Sequence, residues 1–246
     1  MMLLVDLGNT SIKWAQRDGE SWHTDQRVHA GQPLKSVLDG VWRAIDLPTR
    51  IVVCSVASLE VSRSLAEWCK ARWGRSPQLI ESMAQFADVR NGYRDPAQLG
   101  ADRWAALVAA REMVNGDVVV VDCGTAVTLD WLDARGEHRG GVIFPGLALQ
   151  RASLRAGTGG IHEVDGDAES CLARSTADGV AAGTAFATIG AIERILGEFN
   201  KHLKGGNVTV LITGGNAEFI APRLPLPKKL VPDLVLLGLK RIADSL

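Results

Sequence analysis

VVVVDCGTAVTLDW, residues Val118–Trp131, is the stretch whose reading decides the architecture. Four valines run into an acid, Cys-Gly-Thr follows, and a second apolar stretch begins, which is the pattern of a strand, a tight turn and a returning strand. A glycine just after a strand lets backbone N–H groups approach a phosphate closely, and an aspartate at the strand end can hold a cation directly or through water. Leu3–Trp14, LLVDLGNTSIKW, repeats the plan, since setting Asp6 on Asp122 also superposes Val5 on Val121 and Gly8 on Gly124. A single Asp-x-Gly is equally a turn whose acid bonds its own backbone. Two of them, each between apolar strands, indicate two related halves that face one ligand.

The elements around the two turns agree with this. Met2–Val5 reads as a buried strand, Ser11–Gln16 as its antiparallel return after a turn at Gly8–Thr10, and Trp22–His29 as a third strand. Pro33–Ile45 carries Leu34, Val37, Leu38, Val41, Trp42 and Ile45 at helical spacing. Ile51–Val56 is a continuous apolar strand, Ser58 a candidate N-cap for a helix to Trp73, and Gln78–Glu81 a further strand. The first half is therefore β-β-β-α-β-α-β, an α/β pattern. Ala87–Gly100 breaks the rhythm as a long irregular segment of the kind that carries function. A helix over Arg103–Val114 closes at Asn115-Gly116, which sets the expected domains at 1–115 and 116–246.

The second half continues with strands Val118–Asp122, Val127–Leu132 and His138–Phe144, the last running into Pro145-Gly146. Gly157–Ser175 is a polar, mobile loop by composition, Ala185–Asn200 a helix, Asn207–Ile212 a strand ending in Thr213-Gly214-Gly215, and Leu234–Leu246 a C-terminal helix. Trp42, Trp68 and Trp104 fall on apolar helix faces and need no cofactor to explain them.

Composition limits the function classes. At 46% hydrophobic and 22% charged residues the chain can bury a substantial core, and a net charge of −1 offers no general attraction to nucleic acid or acidic lipid. Four scattered cysteines and five histidines show no metal-ligand spacing, which suits reduced thiols. No uninterrupted apolar run is long enough for a membrane span and no basic leader is evident. These features predict a cytoplasmic protein with neither a nucleic-acid nor a membrane partner.

Lys13, three residues beyond Thr10, can bring its ammonium back to a terminal phosphate or simply be a solvated strand lysine. Thr10 and Thr125 offer hydroxyls at comparable points of the two turns. Thr213-Gly214-Gly215 permits close approach by a nucleoside, or is only a turn. Asp102 stands where the helix over Arg103–Val114 begins and is a plain N-cap if it has no chemical role, although Ala105 replaces the usual capping-box acid.

The paired Asp-x-Gly turns and the Thr-Gly-Gly loop resemble the phosphate and adenosine motifs of the actin and sugar-kinase superfamily, in which ATP lies in the cleft between two ribonuclease-H-like domains. Within it, DLGNTSIK at Asp6–Lys13, GADR at Gly100–Arg103, DCGTA at Asp122–Ala126 and GGVIFPG at Gly140–Gly146 resemble type III pantothenate kinase, in order over essentially the whole chain. That resemblance implies ATP-dependent phosphorylation of pantothenate to 4′-phosphopantothenate, the first step towards coenzyme A. It implies ATP contacts at Asp6, Leu7, Gly8, Asn9, Thr10, Ser11, Ile12, Lys13 and Thr125, and Asp102 as catalytic base. It further implies pantothenate contacts at Tyr93, Gly100, Ala101, Asp102, Arg103 and Thr176, with Arg103 on the carboxylate. Asp122 would hold a monovalent cation, K+ or NH4+, and Mg2+ would accompany ATP near Asp6. Thr176 is preceded by Ala173, Arg174 and Ser175, a departure from the family's Gly-Arg/Lys-Asn/Asp-Thr. A homodimer with the substrate site near the subunit interface is also implied. Two rival functions are another small-molecule kinase or phosphatase of the superfamily and a nucleotide-binding regulator without turnover. Tyr93 with GADR weighs against the first, and intact Asp6, Asp102, Arg103 and Asp122 weigh against the second.

Overall fold

The computed structural model describes residues 1–162, 164–203 and 208–246, so Asn207, the expected start of one strand, lies outside the described residues. Two compact units divide the chain. Met1–Met113, Gly136–His138 and Asp233–Leu246 form the first, and Val114–Arg135 with Arg139–Pro232 form the second.

The first unit contains β1 (Met2–Leu7), β2 (Ser11–Asp18), β3 (Ser21–Val28), α1 (Leu34–Val41), β4 (Arg50–Ser55), α2 (Leu59–Trp73), β5 (Gln78–Leu79), a short hairpin of β6 (Gln85–Phe86) and β7 (Val89–Arg90), and α3 (Ala101–Met113). Its sheet order is β3-β2-β1-β4-β5, with β1 antiparallel to β2 and parallel to β4. Leu3, Leu4, Val5, Val52 and Val53 are fully buried, which explains the unbroken apolar runs of these central strands. α2 starts as expected, with the Ser58 hydroxyl accepting the Val61 N–H at 3.3 Å, and stops at Gly74, whose φ of 66° favours glycine. Trp14, Trp42, Trp68 and Trp73 pack into one aromatic cluster, and Trp68 donates to Asp39 at 2.8 Å. The expected strand over Gln78–Glu81 pairs only at β5, and α3 begins at Ala101 rather than Arg103.

The second unit repeats the plan with β8 (Val118–Cys123), β9 (Ala126–Leu132), β10 (His138–Pro145), α4 (Leu147–Gly157), α5 (Thr176–Asn200), β11 (Thr209–Thr213), α6 (Ala217–Ile220) and β12 (Lys229–Leu230). Its sheet order, β10-β9-β8-β11-β12, is that of the first unit with the strands renumbered. No element was expected where α4 lies, and α5 starts nine residues before Ala185. The signal for that start is Ser175, whose hydroxyl accepts the Asp178 N–H at 3.1 Å. By length and composition alone α5 could cross a membrane. Here Ile192 and Leu196 join the core of the second unit.

The C-terminal helix α7 (Leu234–Ala243) corrects the expected division at 115/116, because it belongs to the first unit. Gly238 explains how: a Cβ there would lie 1.8 Å from the Ala105 carbonyl oxygen, so α7 and α3 pack backbone to backbone.

Candidate functional site

The Asp6 turn of the first unit is held from several sides. The Gly8 N–H donates to the Ser11 carbonyl at 3.0 Å, and the Asn9 side-chain amide donates to the Val56 carbonyl at 3.2 Å. His29, which sequence reasoning passed over, is buried behind the turn. Its Nε2 meets the Gly8 carbonyl at 2.9 Å, while the N–H groups of His29 and Ala30 both donate to the Thr10 carbonyl, at 2.9 and 3.1 Å. Leu7 and Ile12 turn their side chains wholly into the core, so only their main chain is available to a nucleotide. Asp6 faces Lys13 across the β1–β2 pair.

The neighbouring strand links Asp6 to Asp102. Cys54 pairs with Asp6 in register, and its thiol lies 3.6 Å from the Asp6 carboxylate. Burial first, then the charges of Asp6 and of Asp102, push the Cys54 thiol well above its ordinary range. Both carboxylates thus act on one buried, neutral thiol.

Asp102 occupies the first turn of α3, inside the helix, so the N-cap alternative does not describe it. Its carboxylate accepts the Arg103 N–H at 2.7 Å, and the helix N-terminus favours the ionised form. Gly100 makes room for it: a Cβ at Gly100 would fall 2.6 Å from Asp102 Oδ1. The buried Arg103 guanidinium donates to the Tyr93 hydroxyl at 2.8 Å. The Tyr93 ring stacks on His138, with centroids 5.7 Å apart and planes 15° from parallel. Tyr93, Gly100, Ala101, Asp102 and Arg103 therefore share one unit. Thr176 belongs to the other, exposed at the start of α5.

The second turn differs from the first by one residue. Gly124 donates to the Ala126 carbonyl at 3.1 Å, two residues on, where Gly8 reaches three residues on. The register shifts accordingly, and Asp122 faces Thr128 across the strand pair where Asp6 faces Lys13. The second acid has a hydroxyl opposite it instead of an ammonium. Two glycines close around this turn. A Cβ at Gly146 would lie 2.4 Å from the Gly124 carbonyl oxygen and 2.7 Å from that of Thr125, and one at Gly214 would lie 2.4 Å from Asp122 Oδ1. Asn216 N–H donates to the Cys123 carbonyl at 2.9 Å, tying the Gly-Gly loop to the turn. One carboxylate among carbonyls and hydroxyls is a donor set suited to a monovalent cation, which needs no rigid shell. Among the described residues no group of three or more His, Cys, Asp or Glu could hold a metal ion. A divalent ion would therefore lean on one carboxylate and on phosphate oxygens.

Beyond Gly215 a cavity of about 660 Å³ is bounded by Asn216, Phe219, Arg223, Arg151 and Arg155. The Arg223 guanidinium sits 4.0 Å from the Phe219 ring centre. Asp165, Asp167 and Glu169 line it as well, Arg151 pairing with Asp165 at 3.5 Å and Arg223 with Glu169 at 2.8 Å, so its walls carry both signs of charge.

Comparison with known proteins fits this geometry. A family model described as type III pantothenate kinase matches residues 2–198. The chain belongs to the type III pantothenate kinase family. The type III pantothenate kinase of Nitrosococcus oceani is 38% identical over 252 residues, covering 100% of this chain and 94% of the relative. That of Chromobacterium violaceum is also 38% identical, over 100% of both chains. Among solved structures, the activator of 2-hydroxyisocaproyl-CoA dehydratase from Clostridium difficile with bound ADPNP superposes with a TM-score of 0.53 at 11% identity, covering 100% of this chain and 97% of that one. This likeness shows the fold, that of the actin-like ATPases and sugar kinases. As a member of the type III pantothenate kinase family, the protein is an ATP-using kinase that phosphorylates pantothenate to 4′-phosphopantothenate in coenzyme A biosynthesis.

Proposed function

We propose that Asp102 is the base of this reaction and that the remaining predicted residues divide between its two substrates. The observation that carries the proposal is the space left by Gly100 for the Asp102 carboxylate, beside an Arg103 side chain already held by Tyr93. The carboxylate takes the proton of the pantothenate primary hydroxyl as that oxygen attacks the γ-phosphorus. The bond from this phosphorus to the bridging oxygen breaks, and ADP leaves. A carboxylate can do this at neutral pH without a raised pKa, because phosphoryl transfer depends mostly on alignment and charge stabilisation.

Arg103 pairs with the pantothenate carboxylate, Tyr93 lies alongside, and the main chain of Gly100 and Ala101 lines the same acceptor site. Thr176 is a further proposed contact of pantothenate. The main chain of Leu7–Ile12, the side chains of Asn9, Thr10 and Ser11, and the Lys13 ammonium receive the ATP phosphates. Asp6 would hold Mg2+ together with the ATP phosphates, and the ion would supply charge neutralisation for the transferring group. Asp122, with Thr125 contacting ATP, would hold K+ or NH4+, in keeping with a register that sets Thr128 rather than a lysine opposite it. The ADPNP found in the Clostridium protein supports a nucleotide on this fold.

The protein acts as a cytoplasmic homodimer, with no nucleic-acid or membrane partner. Support for the dimer comes from the second unit, where Ile143, Leu149 and Phe186 are exposed and Gly179 and Gly183 line a depression with Thr176. The test is turnover of labelled pantothenate with ATP and Mg2+, with and without K+, for wild type and Asp102→Asn. Turnover that needs K+ and drops about 100-fold or more in the variant is expected. Unchanged variant activity would remove Asp102 from the role, and K+-independent turnover would remove the cation from Asp122.

A further inference from the structure

His138 has no place in the reaction as described, yet it is almost fully buried against the one tyrosine of the chain. The route by which it gets there is specific. Gly136 and Glu137 follow β9 and His138 opens β10, yet all three are part of the first unit, where they run along the segment that carries Tyr93. Arg90 N–H donates to the Gly136 carbonyl at 2.8 Å, and the Arg90 side chain pairs with Glu137 at 2.9 Å. Two glycines allow the two backbones to touch. Gly136 has a φ of +80° and a Cβ there would lie 1.9 Å from the Asp88 carbonyl oxygen; one at Gly92 would lie 1.7 Å from the His138 carbonyl oxygen. The strands are thus locked one residue away from Tyr93, and the imidazole is left flat against the phenol.

We infer that His138 is a positioning residue for pantothenate: its ring sets the plane of Tyr93, and Tyr93 in turn holds the Arg103 guanidinium for the substrate carboxylate. The chain of contacts is continuous, from the stacked rings at 5.7 Å to the Tyr93 hydroxyl that accepts from Arg103 at 2.8 Å. Arg103 is followed along α3 by residues that are all buried as far as Ala110, so its backbone cannot drift to compensate for a displaced Tyr93. A flat ring is the property required of residue 138, because only a ring face restricts rotation of the phenol about its own axis. The inference rests on the reading that Tyr93 and Arg103 face pantothenate, and it adds a residue that touches neither substrate.

The experiment uses the full chain with 3-fluorotyrosine incorporated, which places a single fluorine resonance on Tyr93, together with steady-state kinetics. Two ringless variants, His138→Leu and His138→Gln, are compared with His138→Phe, so that failure of one to fold leaves the comparison intact. The ringless variants should raise KM for pantothenate roughly 3- to 10-fold, the range expected of one aromatic pair, with kcat and KM for ATP within about twofold. They should also move the fluorine resonance, while His138→Phe restores both readouts. Equal damage by the phenylalanine and ringless variants, an unchanged KM for pantothenate, or a matching loss in kcat and KM for ATP would overturn the inference. In wild type, pantothenate should move the resonance. If it does not, and Tyr93→Phe binds pantothenate normally, the reading of Tyr93 fails and the inference falls with it. If Tyr93 responds but His138→Leu is kinetically normal, His138 alone is removed.

Discussion

Gly100→Ala separates the position of the Asp102 carboxylate from its chemistry. The glycine has an ordinary backbone conformation, so alanine is allowed there, and the new Cβ would meet Asp102 Oδ1 at 2.6 Å and Val56 Cγ1 at 3.4 Å. The valine contact is tolerable. The carboxylate oxygen must withdraw by about 0.6 Å to reach ordinary contact, and as the end of a side chain it can do so at little cost. Folding stability should stay within about 1 kcal/mol of wild type, since the alanine also restricts the unfolded chain. Catalysis should not be spared, because a displacement approaching 1 Å costs up to 100-fold in rate. A 10- to 100-fold fall in kcat, roughly 1.4–2.7 kcal/mol of barrier, is therefore expected. Coupled-assay kinetics and a thermal melt on the same preparation measure both. In the double variant with Asp102→Asn the alanine should add almost nothing, since the group it displaces is gone. A folded Gly100→Ala enzyme with wild-type kcat would refute the reasoning, and so would full additivity in the double variant.

Gly214→Ala places a Cβ 2.4 Å from Asp122 Oδ1 at a φ of +94°, so it should cost about 1–3 kcal/mol in a denaturant melt and raise the K+ concentration needed for half-activation. Gly238→Ala drives a Cβ to 1.8 Å from the Ala105 carbonyl oxygen and should destabilise the first unit by roughly 2–4 kcal/mol, seen as a lowered urea midpoint. Burial pushes the Cys69 thiol up to about 12, and burial together with Asp122 does the same for Cys123. Their unfolded counterparts ionise near 9, so the stability they contribute is complete below about pH 9 and is lost as pH rises towards 12; Cys69→Ala should flatten that decline in urea midpoints. Of the four thiols, the exposed Cys171 should react promptly with an aromatic disulfide reagent, and Cys54, Cys69 and Cys123 only after unfolding.

The repeated halves were legible because buried strands leave long apolar runs and glycine turns leave fixed residue types. The two sheets share one strand order, as the repeat of their opening strands and turns leads one to expect. Element ends were less legible. The first two turns of α5 are rich in Gly and Ala, whose weak periodicity hides a helix, and α4 is hidden between a Pro-Gly turn and a glycine-rich loop. At the site, the acids stood out because charged residues at the ends of apolar strands are conspicuous. His29 and His138 did not, since their roles depend on contacts with Gly8 and Tyr93, far away along the chain.

The amino-acid order by itself determined the two α/β halves, the pair of acid-glycine turns and the motifs that carry the family resemblance, because all of these are local patterns of burial and turn chemistry. Only tertiary structure decided that the two turns differ by a residue, setting Asp6 against Lys13 but Asp122 against Thr128. It also decided that α7 rejoins the first unit through Gly238 and that Gly136–His138 run beside Tyr93. Register and long-range packing are set by which backbones can approach each other, and a sequence records that only as a glycine whose partner is unknown until the chain has folded.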